Sequence, residues 1–192
     1  MKISNWWNKN MNDKMLPTFL NWVEDFNAQS KKMVRNYIIS KNYKSILDIG
    51  CGLCDTYYGY KNDNYNIEYT GLDNCKYFVD KAKDQNINII DSDMIKINVP
   101  DNSYDVVYGR HILEHLPTYK ISLNEFIRIA KFEVIIIFFI KPDDNLEEIR
   151  YTDDNDLYHN KYSKNDIENN LINYEYNWID VNKKEIILYI KK

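Results

Sequence analysis

The chain has 192 residues, of which 44% are hydrophobic and 28% are charged, a composition typical of one globular domain with a buried core. Lys and Arg total 25 against 29 Asp and Glu, and the formal charge of −4 argues against broad electrostatic binding to nucleic acid or to an anionic membrane. The longest unbroken apolar run, 134–140, is far shorter than the roughly 20 residues that span a bilayer.

The predicted elements alternate between helix and strand. Helical spacing of apolar residues predicts two helices, 16–28 and 30–41, before the first strand. The later elements, in chain order, are predicted as strand 44–49, strand 66–72, helix 74–83, strand 87–90, strand 104–108, helix 121–131, strand 132–140, helix 163–174, strand 176–181 and strand 185–191.

This alternation predicts an α/β fold with three layers, in which helices cover both faces of a seven-stranded, mostly parallel sheet. The most apolar strand, 132–140, is expected at its centre. A tight polar turn at Asn182 joins the last two strands, so the final strand should run antiparallel. Ser122 and Glu125 have the spacing of a capping box, and Ser163 is a candidate helix cap.

The first chemical signal is a pair of glycines in a chain that has only 5. Asp48 lies near the end of an apolar strand, and Gly50 and Gly52 follow in a turn that precedes a helix. At the carboxyl edge of a parallel sheet, glycines let the backbone approach a ligand, and the next helix offers free N–H groups to an anion.

Acidic residues follow the next strands at matching places. Asp73 ends the second strand about 20 residues later, where a carboxylate can bind ribose hydroxyls. Asp93 and Met94 follow the third strand, and the segment from Gly109 to His111 follows the fourth. In this order, the motifs resemble the class I S-adenosylmethionine-dependent methyltransferase family.

The resemblance implies a Rossmann-like methyltransferase core over 44–192, preceded by a helical lid over 1–43. It implies S-adenosylmethionine as the cofactor, with the glycine turn at its methionine end, Asp73 at the ribose, and Asp93 with Met94 at the adenine. The residues implied to bind the cofactor are Asp48, Gly50, Cys51, Gly52, Asp73, Asp93, Met94, Gly109 and Arg110.

Other interpretations remain open. The family's third glycine is replaced by Cys54, which is compatible with a non-catalytic cofactor-binding protein that acts through partners. The same residue completes a C-x-x-C pair with Cys51, as in thiol–disulfide proteins. A dinucleotide-binding fingerprint would require its third glycine at Asp55, and a zinc site would require a second paired ligand motif, so no metal is expected.

For the chemistry, His111 is the candidate general base, because it follows the fourth strand at the ligand edge. Arg110 is expected to pair with Glu114, and Glu114 and His115 are expected to be structural. The predicted acceptor is the hydroxyl or amine of a small molecule, such as a sugar or metabolite, while a cationic peptide stays open.

Aromatic residues mark the expected acceptor pocket. An amino-terminal lid could contribute Trp6, Trp7 and Trp22, and the long connection after the fifth strand could contribute His159. Three tyrosines of that connection are further candidates: Tyr151, Tyr158 and Tyr162. The three cysteines form an odd set and no hydrophobic signal core follows the first residues, so a cytoplasmic protein is predicted.

Overall fold

The computed structural model describes residues 5–23, 25–152 and 157–192. Its strands, in chain order, are β1 (Ser45–Ile49), β2 (Glu68–Asp73), β3 (Ile89–Asp91), β4 (Tyr104–Arg110), β5 (Ala130–Phe138), β6 (Tyr151–Thr152), β7 (Leu157–Tyr158), β8 (Glu175–Asp180) and β9 (Ile186–Lys191). Seven of them form one sheet in the order β3-β2-β1-β4-β5-β9-β8, and β6 pairs with β7 apart from it.

Four of the predicted helices are shorter than the sequence pattern indicates, whereas the helix predicted at 30–41 has the predicted length of 12 residues. The helices are α1 (Trp6–Asn10), α2 (Leu16–Trp22), α3 (Gln29–Ser40), α4 (Asp55–Asn62), α5 (Lys76–Asp84), α6 (Lys120–Ile129) and α7 (Lys164–Asn170), with a 3₁₀ helix at Leu113–His115. Within the described ranges, none of these helices has the length and apolar character needed to cross a membrane.

The direction of the strands brings the candidate functional residues to one edge of the sheet. Strands β1 to β5 run parallel, and β9 runs antiparallel to both β5 and β8. The predicted fold and the antiparallel last strand are therefore confirmed. As a result, the carboxyl ends of β1–β5 and the amino end of β9 lie at the same edge.

Two helical layers bury the two faces of the sheet. Ile46 and Val106 pack with α3 and α4 on one face, while Leu47 and Val107 pack with α6 on the other. Successive residues of a strand point to opposite faces, so a strand covered on both sides must be apolar throughout. This explains why β5 ends in five consecutive buried apolar residues, 134–138.

An arginine fastens α3 to α4. The Arg35 side chain is 3% exposed, and its Nε donates to Asp63 (2.5 Å) while Nη1 donates to the Phe26 carbonyl (2.7 Å). A Cβ on Gly59 would lie 2.8 Å from Nη1, so the glycine is needed to let the guanidinium pass. Helix α3 is thus part of the three-layer core.

Several predicted boundaries are wrong for identifiable reasons. The region 16–28 is not one helix, because α2 ends at Trp22 and 25–28 forms a turn. Ser122 and Glu125 form no capping box, because α6 already begins at Lys120 and Ser122 is buried inside it. The cap at Ser163 is confirmed, since its Oγ accepts the Asp166 N–H at 3.2 Å.

Candidate active site

A cavity of about 720 Å³ opens at the carboxyl ends of β1, β2 and β4. Nine of the ten predicted site residues line it: Asp48, Gly50, Cys51, Gly52, Asp73, Asp93, Met94, Arg110 and His111. Gly109 does not. A Cβ at that position would lie 2.5 Å from Ile112 Cδ1, so this glycine makes room for a packed isoleucine.

The glycine turn uses backbone conformations that glycine adopts without cost. Gly50 and Gly52 have φ values of +63° and +53°, and Cys54 has φ +61° immediately before α4. Left-handed backbone costs a residue with a Cβ roughly 1–2 kcal/mol. The turn therefore forms with cysteine at the third position, although at the expense of some strain.

Asp73 links the glycine turn to the next helix. Its Oδ2 accepts the Gly52 N–H (3.0 Å) and its Oδ1 accepts the Cys75 N–H (2.8 Å). Burial raises the pKa of Asp73, while these backbone hydrogen bonds act in the opposite direction. Each carboxylate oxygen can accept more than one hydrogen bond, so the acid retains capacity for a ligand hydroxyl.

Asp48 lies beneath the turn and ties it to the neighbouring strand. Its carboxylate is buried and accepts the Tyr69 hydroxyl at 2.8 Å. Burial raises the pKa of Asp48 to about 7, although the hydrogen bonds from Tyr69 and Thr56 favour ionisation. Close by, Lys31 pairs with Asp55 at the start of α4 (3.0 Å).

The end of β3 leads into the other predicted acid. Asp93 Oδ1 accepts the Ile95 N–H at 3.0 Å, which shapes the turn after the strand. Met94 packs against the core cluster on the α6 side, and both residues line the cavity. The predicted acids Asp73 and Asp93 thus follow neighbouring strands along one edge.

At the end of β4, a basic pair meets one carboxylate. Arg110 Nη2 and His111 Nε2 both lie 2.8 Å from Glu185 Oε1, so the expected pairing of Arg110 with Glu114 is wrong. Burial of Glu185 opposes its ionisation, but the hydrogen bond from His111 and the charge of Arg110 prevail and lower its pKa to about 2. Because an ionised carboxylate only accepts, His111 donates to Glu185 through Nε2–H, and Nδ1 is its other ring nitrogen.

Glu114 is a buried acid and was not expected to be one. Its side chain is fully buried, and Oε1 accepts the N–H groups of Phe139 (2.7 Å) and Ile140 (3.3 Å). Oε2 has no hydrogen-bond partner among the described residues. Burial raises the pKa of Glu114 to about 7, so the folded protein holds a proton there that the unfolded chain releases at lower pH.

The variant Glu114→Gln should therefore change how stability depends on pH. A raised folded-state pKa gives stability that is present below the unfolded value and lost as the pH rises through about 7. Gln carries no charge to bury, so the free energy of unfolding of the variant relative to the native chain should rise by about 3 kcal/mol between acidic and mildly alkaline pH. Urea unfolding at several pH values measures this difference.

The exposed variant Glu175→Gln is the control, and it should show no such trend. Asp48 also has a raised pKa, but it is present in both proteins and its contribution cancels. A pH-independent difference between Glu114→Gln and the native chain would contradict the assignment.

Aromatic and imidazole rings form the wall of the cavity beside β4 and β5. Trp6, Trp7 and Trp22 line it as predicted, and so do His115, His159 and Phe139. The tyrosine expectation is wrong for Tyr162, whose hydroxyl is buried against the carbonyls of Leu113 (2.9 Å) and Leu116 (2.8 Å). Tyr151 and Tyr158 pair with each other (ring centroids 4.7 Å apart), and the segment instead contributes Leu157 and His159 to the cavity.

The C-x-x-C pair is reduced and poorly suited to redox chemistry. Cys54 Sγ lies 3.7 Å from Cys51 Sγ, and both are free thiols. The hydrogen bond with Cys54 and burial raise the pKa of the Cys51 thiol well above its usual value. Dithiol enzymes need a lowered thiol pKa, so these cysteines have the electrostatics of structural thiols.

Among the functional residues that sequence reasoning missed are Lys31 and Phe139, which line the cavity, and Glu185, which binds the lining residues Arg110 and His111. Phe139 follows β5 at the same edge as the other candidates, so the rule that found Asp73 could have found it. Glu185 precedes β9, and an antiparallel strand brings its amino end to the carboxyl edge of parallel strands. Lys31 had no local signal, because it reaches the turn through the packing of α3 on α4.

Comparisons with known proteins agree with this fold. Residues 47–138 match the sequence model of a family described as "Methyltransferase domain". Over 115 residues the chain is 26% identical to a sterol 24-C-methyltransferase of Gibberella zeae, and this match covers 54% of the chain but 29% of that protein. The chain therefore corresponds to under a third of the length of that curated relative.

Solved structures show the same fold at low sequence identity. A 1,6-didemethyltoxoflavin-N1-methyltransferase of Burkholderia thailandensis superposes with a TM-score of 0.69 at 12% identity, over 97% of this chain and 87% of that one. A magnesium protoporphyrin IX methyltransferase of Synechocystis PCC 6803 gives 0.68 at 13% identity, over 96% and 97%. Both carry bound S-adenosylhomocysteine. Residues 47–138 therefore resemble a methyltransferase domain in sequence, and the chain shares the fold of these two enzymes.

Proposed function

We propose that this chain is an active S-adenosylmethionine-dependent methyltransferase that acts on a hydroxyl or amine of a small molecule. The observation that carries the proposal is the bridge between the glycine turn and Asp73, in which the Gly52 N–H donates to the carboxylate at 3.0 Å. It joins two predicted parts of a cofactor site, and both residues line the cavity of about 720 Å³.

The residues at the strand ends fit an elongated nucleoside cofactor. Neighbouring strands lie about 4.8 Å apart, so the ends of β1, β2 and β3 span about 10 Å along the edge. In the proposed arrangement the glycine turn, with Asp48 beneath it, holds the methionine end, Asp73 accepts from the ribose hydroxyls, and Asp93 with Met94 meets the adenine. Arg110 closes the methionine side from β4, whereas Gly109 acts by giving Ile112 room.

His111 is the proposed general base for a hydroxyl acceptor. When bound, the cofactor supplies a methyl group already activated for in-line displacement, so the protein's own task is to align the acceptor and to remove its proton. Nδ1 of His111 would take that proton. The Glu185 carboxylate at 2.8 Å from Nε2 fixes the ring and stabilises the imidazolium that forms. Glu185 is a positioning residue in this scheme.

Helices α1 and α2 are proposed as the lid over the site. Their Trp6, Trp7 and Trp22 line the cavity, and Asn8 hydrogen-bonds with Asn74 (2.9 Å) and Lys76 (2.9 Å) at the start of α5. Helix α3 packs on the sheet, so the proposed lid is shorter than the 1–43 segment predicted from sequence.

The volume of the cavity supports a small-molecule acceptor, and the free cysteines support a cytoplasmic location. Cavities of about 300–1,000 Å³ usually hold small molecules, and 720 Å³ allows a cofactor with a small acceptor beside it. The three cysteines are all free, which fits a cytoplasmic protein. A non-catalytic role through partners is the second candidate, favoured by the strained Cys54 at the third glycine position.

Calorimetric titration with S-adenosylmethionine and S-adenosylhomocysteine tests the proposal. We expect both to bind, because the turn and Asp73 are already in place, and we expect NAD not to bind, because Asp55 stands where its pyrophosphate would lie. Circular dichroism of the same sample verifies the fold. A folded protein that binds neither compound would refute the proposal, and binding without turnover on any acceptor would favour the second candidate.

A further inference from the structure

We propose that the methyl acceptor is an uncharged, planar aromatic compound with a hydroxyl group, stacked in the part of the cavity walled by Trp7, His115, Phe139 and His159. This inference rests on the proposed function, because it assigns the β1–β3 end of the cavity to the cofactor. We call the four residues the ring wall.

The rings of this wall contact one another in a continuous series. The His115 ring lies 5.5 Å from Phe139, 5.2 Å from His159 and 6.3 Å from Trp7, between ring centroids. Phe139 is also 6.2 Å from His159, at an interplanar angle of 90°. Aromatic rings attract further rings in offset or edge-on geometry, so a planar acceptor can contact several of them at once.

The ring wall carries no charge near neutral pH. Burial lowers the pKa of His115 to about 4, and burial also lowers the pKa of His159. His115 Nδ1 lies 2.8 Å from the Tyr158 carbonyl oxygen, which can only accept, so Nδ1 carries the proton and Nε2 is an acceptor. A neutral acceptor suits such an uncharged surface.

Charged groups of the cavity lie elsewhere or are already paired. Among the described lining residues, the carboxylates all belong to the β1–β3 side: Asp48, Asp55, Asp73 and Asp93. On the other side, Arg110 is neutralised by Glu185 at 2.8 Å. Among the residues that the structure describes, no carboxylate lines the cavity on the side of the ring wall, so a neutral acceptor fits this part better than a cationic peptide does.

Hydrogen bonds to the backbone fix the position of the ring wall. Glu114 fixes the Phe139 backbone at 2.7 Å through its side chain, and its carbonyl accepts the Asn160 N–H at 2.9 Å. Asn160 Nδ2 donates to the Leu116 carbonyl (2.6 Å), and the His159 N–H donates to the Arg150 carbonyl (2.9 Å). Because the ring wall is already ordered, it loses little conformational entropy when a ligand binds. Such a wall favours a rigid flat ligand over a flexible one.

Calorimetry on the protein saturated with S-adenosylhomocysteine tests the inference. The probes are 2-naphthol, its saturated analogue decahydro-2-naphthol, which has the same hydroxyl but no planar ring, and trilysine as the cationic probe. Two or more ring contacts should make 2-naphthol bind about tenfold more tightly than the saturated analogue. Trilysine should not bind.

A pair of matched variants locates the binding. Phe139→Leu should weaken 2-naphthol binding about fivefold, because it removes one aromatic partner. Phe132→Leu, at the opposite end of β5, should leave it unchanged, because Phe132 stacks on Tyr43 outside the cavity. Both variants should bind S-adenosylhomocysteine as the native chain does.

The outcomes separate this inference from the proposed function. Failure to bind S-adenosylhomocysteine refutes the proposed function. If S-adenosylhomocysteine binds normally, three results overturn only the inference of an aromatic acceptor. They are no binding of 2-naphthol, equal affinity for 2-naphthol and its saturated analogue, and a preference for trilysine. An unchanged affinity for 2-naphthol in Phe139→Leu also overturns it.

Discussion

Asp73→Ala should weaken the binding of S-adenosylhomocysteine by about 10- to 100-fold, the loss expected for a charged hydrogen-bond acceptor. The carboxylate is the proposed acceptor for the ribose hydroxyls, and it also accepts the N–H groups of Gly52 and Cys75. Removing it takes away a ligand contact and releases the glycine turn from α5. Calorimetric titration measures the change in affinity.

Asp91→Ala is the matched control. Asp91 lies opposite Asp73 in the register of β3 against β2, but it is exposed and does not line the cavity. Its removal should leave the affinity unchanged. If Asp73→Ala retained native affinity, or if the two variants lost affinity equally, the ribose assignment would be wrong.

His111→Ala should lower kcat with a hydroxyl acceptor by about 100-fold or more, the usual contribution of a general base. The affinity for S-adenosylhomocysteine should change little, because the proposed cofactor contacts of the glycine turn, Asp73 and Asp93 remain. Release of S-adenosylhomocysteine during turnover, measured with a phenolic acceptor between about pH 6 and 9, gives kcat and KM.

Two variants make this test specific. Glu185→Gln keeps the shape of the positioning residue but removes its charge, so kcat should fall about tenfold while KM stays close to the native value. His159→Ala removes another cavity imidazole, which the structure pairs with no carboxylate among the described residues, and should affect KM more than kcat. Native turnover in His111→Ala across this pH range would exclude the histidine as the base.

Most of the fold could be predicted from local sequence patterns. The apolar run that became β5 and the strand that ends at the glycines were recognisable, because alternation of helix and strand leaves few arrangements other than a parallel sheet. The helix boundaries were less predictable. Helix α2 ends early at Trp22, and α6 begins before Ser122, because the burial of these segments depends on neighbours that are distant in sequence.

The same distinction holds for the cavity. By itself the sequence determined the residues at the ends of β1 to β4, including Asp73 and His111, since parallel strands bring their carboxyl ends to one edge. Only the tertiary structure decided that Arg110 pairs with Glu185 rather than Glu114, and that Lys31 of α3 reaches the cavity. These contacts join residues far apart along the chain, and their distances follow from how the elements pack, which no local pattern encodes.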